Sequence, residues 1–174
     1  MRSINLSDNK TPTVKVVQNA VNKMKLNDNS NVCCVYATNP LLFIETLKIG
    51  LKLIDSSPLT NYVTTVTKYP FPIQRALKVN KTGKLEINYE KYMMTNSQDL
   101  PIMYHECAQF WWGKGITWKK SLPMQKKVTG IFIPNWLYAD IDNEEDWKTA
   151  ELKFQILNKF KSLKLDLISQ IKLV

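Results

Sequence analysis

Cysteine, histidine and glycine are scarce in this sequence of 174 residues, and each shortage excludes a class of site. The three cysteines, Cys33, Cys34 and Cys107, match neither a disulfide framework nor a zinc site in number or spacing. We therefore interpret them as buried, reduced thiols. A catalytic cysteine would need a base, and the single histidine, His105, lies two residues from Cys107. That pair is a minor alternative.

Long apolar runs and linkers are missing as well. No segment approaches the roughly 20 consecutive apolar residues of a transmembrane helix, and the opening stretch MRSINLSDNK lacks the apolar core of a secretory signal. Both absences predict a cytosolic protein that does not contact a membrane. No repeat, low-complexity tract or Gly/Ser linker divides the chain, so residues 1–174 are predicted to form a single domain.

Positive charge is abundant, with 24 Lys and Arg against 15 Asp and Glu. This balance suits a nucleotide, an acidic sugar, nucleic acid or an anionic surface. Much of the excess lies in amphipathic stretches such as KFQILNKFKSLKLDLISQIKLV, where a solvated helix face is the default explanation. Stacking of bases on Trp111, Trp112 and Trp118 is a minor alternative. Because no RNA- or DNA-binding motif is present, we expect no nucleic-acid partner.

Alternating helix and strand patterns predict an α/β fold with a mixed sheet. TVKVVQNAVNKM has apolar residues at helical spacing, and NVCCVYAT is typical of a short buried strand. That strand leads into NPLLFIETLKIGLKLI, where we expect Asn39 to cap a helix and Pro40 to occupy its first turn. NYVTTVTKY, QFWWGK and TGIFIP predict further strands. An inserted hairpin excursion is predicted at about residues 75–98, with its turn near Gly83.

The stretch YADIDNEEDW collects five acidic residues in a basic chain. Those at 144–146 suit the first turn of a helix that Asn143 caps. LYADID is expected to end as a strand, so that Asp140 and Asp142 project from one face. Two such carboxylates repel each other unless a cation lies between them, and Mg²⁺ prefers such oxygen donors. Solvated turn acids are the open alternative.

Six stretches, taken together and in order, carry a family resemblance: LSDNKTPTVKVV, CCVYATNPLL, YPFPIQRALKVNKTGKLEI, SQDLP, YHECAQFWWGK and DIDNEEDWKTAEL. The sequence resembles the cytidylyltransferases that activate nonulosonic acids, the CMP-sialic acid synthetases, and above all their pseudaminic acid branch. The resemblance extends from about Arg2 to the helix that contains Leu152. PFPIQRAL and AQFWWGK followed by DID are specific, whereas YATNPLL alone would be weak.

The resemblance implies a Rossmann-like, three-layer nucleotide-diphospho-sugar transferase fold. It implies transfer of CMP from CTP to a pseudaminic or sialic acid type of sugar, with Mg²⁺ held by the catalytic Asp140 and Asp142 and with release of pyrophosphate. It also implies a set of substrate-binding residues: Tyr36, Thr38, Asn39, Arg75, Gln98, Gln109, Phe110 and Trp111. Core packing is the alternative for Phe110, an ordinary surface ion pair for Arg75, and a turn or cap for Gln98.

One part of the family pattern has no counterpart in this sequence. The family begins with a strand and a basic, Gly-containing loop that cradles the CTP phosphates, and the five glycines here form no such loop. The sequence therefore predicts an N-terminally truncated member, whose catalytic activity alone is doubtful. The alternative is a non-catalytic sugar-binding or assembly remnant. The expected partners are CTP, the sugar, a second copy in a homodimer and a separate N-terminal fragment.

Overall fold

The computed structural model describes residues 4–8 and 10–159 and the backbone of residues 172–173. The helices are α1 Thr13–Lys23, α2 Ile44–Ser56, α3 Gly115–Lys119 and α4 Glu144–Lys159. The strands are β1 Asn31–Val35, β2 Tyr62–Lys68, β3 Leu77–Val79, β4 Leu85–Ile87, β5 Tyr104–Lys114, β6 Val128–Phe132 and β7 Lys172–Leu173. Beyond α4, the amphipathic lysine-rich stretch lies mostly outside the described residues.

The main sheet has the strand order β1-β5-β2-β6-β7. β5 runs antiparallel to both β1 and β2, β2 and β6 are parallel, and β7 is antiparallel to β6. The β2–β5 register shifts between Thr64 and Val66, opposite a point where Ala108 has a φ of +47°. A mixed sheet flanked by helices confirms the predicted α/β class and is consistent with a Rossmann-like nucleotidyltransferase fold.

The sheet separates two apolar layers. Phe110 and Ile131 pack with residues of α2 and α4 on one face. Trp111 and Trp118 pack with residues of α1 on the other. Successive side chains of a strand point to opposite faces, so the neighbours Phe110 and Trp111 fill different layers. The fold is therefore a three-layer arrangement, with the sheet between two layers of helices.

Several predicted elements are confirmed and two are wrong in part. The helix in TVKVVQNAVNKM and the strands in NYVTTVTKY, QFWWGK and TGIFIP are present. The strand predicted to be buried, β1, ends the described sheet, and its residues are half-buried or exposed. Helix α2 begins at Ile44 rather than after Asn39. Asn39 does not cap it because Phe43 holds the N-cap position, and the Asn39 side chain points to β5, where its Nδ2 donates to the carbonyl oxygen of Cys107.

A separate two-stranded sheet lies inside the predicted excursion. β3 and β4 pair Leu77 with Ile87 and Val79 with Leu85, and Gly83 in the turn has a φ of +79°. These four apolar residues are each 38–67% exposed. The hairpin therefore presents an apolar face to solvent. No helix of the described ranges has the length and apolarity needed to cross a bilayer.

Candidate active site

Two chain segments meet at the carboxyl end of β1. We call residues 36–39 the site loop and residues 138–142 the acidic segment. The backbone N–H of Ile141 donates to the carbonyl oxygen of Thr38 at 3.1 Å. The Thr38 hydroxyl donates to Asp140 Oδ1 at 2.9 Å. These two bonds fix the acidic segment against the site loop, although 102 residues separate Thr38 from Asp140.

The acidic segment is not a strand, so that prediction is wrong. It follows a 3₁₀ turn at Asn135–Leu137, has extended backbone at Tyr138, and pairs with no described strand. Its backbone bonds to other partners instead, since Lys153 Nζ donates to the carbonyl oxygen of Tyr138 at 2.7 Å. Asp140 is half-buried and Asp142 is exposed at a bend. The two carboxylates thus have different surroundings instead of sharing one face of a strand.

The start of α4 explains the other acidic residues. The N–H groups of Glu145 and Asp146 donate to Asn143 Oδ1 at 2.9 and 3.1 Å. Asp146 Oδ2 in turn accepts from the N–H groups of Asp142 and Asn143, each at 3.1 Å. The predicted cap at Asn143 is confirmed as a reciprocal capping arrangement. It also ties the backbone of Asp142 to the helix.

Two buried side-chain amides connect the chain segments around the site. Asn39 Nδ2 donates to the carbonyl oxygen of Cys107 at 2.7 Å. Gln109 Nε2 donates to the carbonyl oxygens of Leu41 and Leu137 at 3.3 and 3.2 Å. Asn39 is 5% exposed and Gln109 is 0% exposed. Their amide donors therefore join chain segments, and contact with a substrate through them stays a prediction.

The aromatic residues expected to face the sugar lie in the interior. Phe110 is 0% and Trp111 is 4% exposed, and they point into opposite layers. One ligand cannot contact both side chains, so this geometry favours the core-packing alternative for Phe110 and extends it to Trp111. Tyr36 is half-buried, and its hydroxyl donates to Thr13 Oγ1 at 3.3 Å. Burial raises the pKa of Tyr36, and the nearby carboxylate of Asp140 raises it further.

Sequence reasoning missed an aromatic group around His105. Tyr69 packs on its ring at 4.7 Å, and the Tyr138 hydroxyl lies 3.4 Å from His105 Nε2. His105 Nδ1 lies 2.9 Å from the carbonyl oxygen of Glu106. A carbonyl only accepts, so the hydrogen of this bond lies on Nδ1, and in the neutral imidazole Nε2 can accept from Tyr138. In the sequence, the only indication of this group is that the chain has a single histidine. The aromatic partners of His105 come from distant segments, so no local pattern predicts them.

The thiols have the properties of unreactive side chains. Cys107 is 1% exposed, and burial raises its pKa well above the ordinary value. Burial raises the pKa of Cys33 to about 12. All three cysteines are free, although Cys33 and Cys34 are only partly buried. A thiol with a raised pKa is protonated at neutral pH and is a poor nucleophile. These observations favour the structural interpretation of the cysteines over the catalytic one.

Arg75 and Gln98 lie in two other 3₁₀ turns, Ile73–Arg75 and Ser97–Asp99. The exposed Arg75 guanidinium donates to the carbonyl oxygen of Thr95 at 2.8 Å. Arg75 also lines a cavity of about 600 Å³ together with Tyr69 and Phe71. Because Tyr69 packs on His105, this cavity adjoins the aromatic group. The structure gives no direct contact between Arg75 and the acidic segment.

The donor set of the acidic segment fits a hard divalent cation. Asp140 and Asp142 offer only oxygen atoms, and Mg²⁺ is commonly held by one or two carboxylates with waters and substrate phosphates. Within the described ranges, no group of three or more His, Cys, Asp or Glu side chains is placed to hold a metal. Within those ranges the segment offers an ion at most two carboxylates, and waters and substrate phosphates would complete its coordination.

Comparison with known proteins decides the family. No family model matches the sequence. The pseudaminic acid cytidylyltransferase of Campylobacter jejuni subsp. jejuni serotype O:2 is 31% identical over 160 residues, which cover 90% of this chain and 68% of the relative. The chain belongs to this family. The corresponding protein of serotype O:23/36 matches with the same identity and coverage. A Helicobacter pylori protein, named as a pseudaminic acid cytidylyltransferase and a UDP-2,4-diacetamido-2,4,6-trideoxy-beta-L-altropyranose hydrolase, is 24% identical over 119 residues.

Proposed function

We propose that this chain supplies the sugar-side, cation-binding part of a Mg²⁺-dependent cytidylyltransferase. Its substrates would be CTP and a nonulosonic acid of the pseudaminic acid type, in the cytosol. The observation that carries the proposal is the attachment of Asp140 to Thr38 at the carboxyl end of β1. In open α/β sheets, ligands bind at this end of the strands. The two C. jejuni relatives are named pseudaminic acid cytidylyltransferases, and the reaction proposed here follows from that name.

In this reaction, the anomeric hydroxyl oxygen of the sugar forms a bond to the α-phosphorus of CTP. The bond from that phosphorus to the bridging oxygen breaks, pyrophosphate leaves, and the hydroxyl proton passes to solvent. A bound Mg²⁺ supplies neutralisation of charge on the phosphate oxygens. Asp140 and Asp142 would hold the ion. Arg75 would pair with the sugar carboxylate, whose planar geometry matches a guanidinium.

Pyrophosphate release from CTP and pseudaminic acid tests the proposal. The chain is assayed alone and with the part of the C. jejuni relative that has no counterpart in it, supplied as a separate polypeptide. We expect turnover in at least one mixture, and Asp140→Asn should abolish it. Glu144→Gln, which removes an exposed acid of the first turn of α4, is the matched control and should retain turnover. A lack of turnover both by the chain alone and by the chain with the added polypeptide contradicts the catalytic proposal.

The free edge of β1 supports a separate N-terminal fragment as a partner. β1 pairs only with β5 in the described sheet, and no other described residue bonds to the N–H and C=O groups of its second edge. Natural proteins cover such edges, since they otherwise pair with other chains. We expect added fragment to slow hydrogen exchange of the amides at residues 31–35. Unchanged exchange there, with the fragment bound, contradicts this arrangement.

The exposed hairpin supports a homodimer. An isolated two-stranded hairpin is marginally stable, and the apolar face formed by Leu77, Val79, Leu85 and Ile87 would be buried by a second copy. Lys78 and Glu86 pair at 3.9 Å on the opposite face. Sedimentation equilibrium should show a dimer that Val79→Lys converts to monomers. Lys78→Gln, on the other face, should leave it intact. A wild-type monomer at high concentration contradicts the dimer.

A non-catalytic sugar-binding or assembly protein is the second candidate. Each of the five glycines is described, and only Gly83, in the hairpin turn, has a positive φ. None therefore forms a loop of the kind that wraps phosphates. Calorimetry separates the two candidates: this one predicts binding of pseudaminic acid without binding of CTP, with or without the separate fragment. Binding of CTP by either preparation contradicts it.

A further inference from the structure

The two carboxylates of the acidic segment are held differently. The Thr38 hydroxyl donates to Asp140 Oδ1 at 2.9 Å. No donor in the described ranges bonds the Asp142 carboxylate, and only its backbone is tied, through Asp146. Asp140 is therefore oriented before any ligand arrives, whereas the Asp142 side chain can change rotamer.

Thr38 is well suited to orient a neighbouring carboxylate. Its β-branched side chain has few χ1 rotamers, so its hydroxyl has a defined position. Its carbonyl oxygen accepts from the N–H of Ile141 at 3.1 Å, which fixes the backbone beside Asp140 at the same time. Backbone and side chain of one residue thus hold both the chain and the carboxylate of the acidic segment.

We infer that Thr38 is a positioning residue that makes Asp140 a one-oxygen ligand. With Oδ1 accepting from Thr38, Asp140 offers Oδ2 to a divalent cation, and the mobile Asp142 supplies the second protein oxygen. The remaining positions stay open to water and phosphate oxygens. This inference rests on the proposed cation site. It gives Thr38 a role that does not require contact with the sugar.

Affinity for Mn²⁺, measured by electron paramagnetic resonance without nucleotide or sugar, tests the inference. Partners that orient a metal ligand typically contribute about 10- to 100-fold in affinity. We expect Thr38→Val, which keeps the shape and removes the hydroxyl, to weaken Mn²⁺ binding by about that factor. Thr38→Ser should restore it. Thr60→Val, which removes a hydroxyl that bonds to Thr129, is the control and should bind like the wild type.

The outcomes separate the inference from the cation site. If Asp140→Asn loses Mn²⁺ but Thr38→Val binds as tightly as the wild type, the positioning role is wrong and the site stands. If the wild type binds no Mn²⁺, or Asp140→Asn and Asp142→Asn bind it unchanged, both the site and the inference are wrong. A crystal structure with Mn²⁺ should show one Asp140 oxygen on the ion and the other on Thr38. A bidentate Asp140 contradicts the inference.

Discussion

Asn39 donates a hydrogen bond of 2.7 Å to the carbonyl oxygen of Cys107 and so joins the site loop to the middle of β5. β5 is irregular there, since Ala108 has a φ of +47° and its N–H donates to Glu106 Oε2 at 2.7 Å. The β2–β5 register shifts at the same level. The amide of Asn39 thus supplies a donor where the ladder between strands is interrupted.

Asn39→Leu should lower the free energy of unfolding by about 1–3 kcal/mol, because it leaves the Cys107 carbonyl without this donor in a buried place. Urea unfolding followed by circular dichroism measures the change. Asn29→Leu, at an exposed turn position, is the control and should cost less than about 0.5 kcal/mol. Equal losses in the two variants would show that the bond to Cys107 contributes nothing specific.

Gly50→Ala should destabilise the protein although alanine favours helices. A Cβ at position 50 of α2 would lie 2.5 Å from Trp112 Cδ1 and 2.9 Å from its Nε1. Overpacking costs about 1–3 kcal/mol, which exceeds the helix gain of about 1 kcal/mol. We expect a lower melting temperature and altered tryptophan fluorescence. Gly83→Ala, strained by its positive φ in an open turn, should leave the fluorescence unchanged. A stabilised Gly50→Ala variant would contradict the packing.

Asn143→Ala should cost about 0.5–2 kcal/mol, because the N–H groups of Glu145 and Asp146 lose their acceptor at the start of α4. Asn143→Asp keeps an acceptor oxygen and should retain most of the stability. Thermal unfolding at matched pH measures both. If Asn143→Asp is destabilised as much as Asn143→Ala, the side chain acts through something other than capping.

Alkaline pH should destabilise the fold. Burial raises the pKa of Cys33 from 9.0 to about 12 and that of Tyr62 from 10.0 to about 12. Between the ordinary and the raised pKa, the unfolded chain releases these protons and the folded chain keeps them. The free energy of unfolding must therefore fall as pH rises from about 9 to 12. Cys33→Ala should make this fall less steep, as measured by urea midpoints at several pH values. An unchanged slope in that variant excludes Cys33 as a contributor.

Local patterns predicted local structure well. The apolar spacing of α1 and the β-rich run of β2 needed no information from elsewhere in the chain, and Asn143 caps α4 through residues two and three positions away. The two errors at the site have a non-local cause. The Asn39 side chain bonds to Cys107 on β5, far away in the sequence, and the helix begins only at Ile44. The acidic segment resembles a strand, but its Ile141 N–H bonds to Thr38 of the site loop.

The site itself was predictable only in part. The spacing of Asp140 and Asp142 and the family resemblance indicated a cation site, but no pattern indicated that Thr38 would orient one carboxylate and leave the other free. The resemblance also suggested sugar contacts for Gln109, Phe110 and Trp111. These residues are buried on β5, where they pack or brace the chain, and their sugar contacts stay predictions. A strand is buried on both faces when helices cover both sides of the sheet. The pattern of a single sequence does not specify which helices do so.

The position of β5 between β1 and β2, two strands that precede it in the sequence, has a consequence for biosynthesis. Asn31 pairs with Lys114, so the ribosome must add roughly 80 further residues before β1 meets its neighbour. β2 pairs with residues of β5 that lie 36–51 positions later and with residues of β6 that lie 66 positions later. During that interval, the nascent polypeptide exposes two strands that have no pairing partner. We therefore expect it to bind chaperones until the residues of β5 emerge from the exit tunnel.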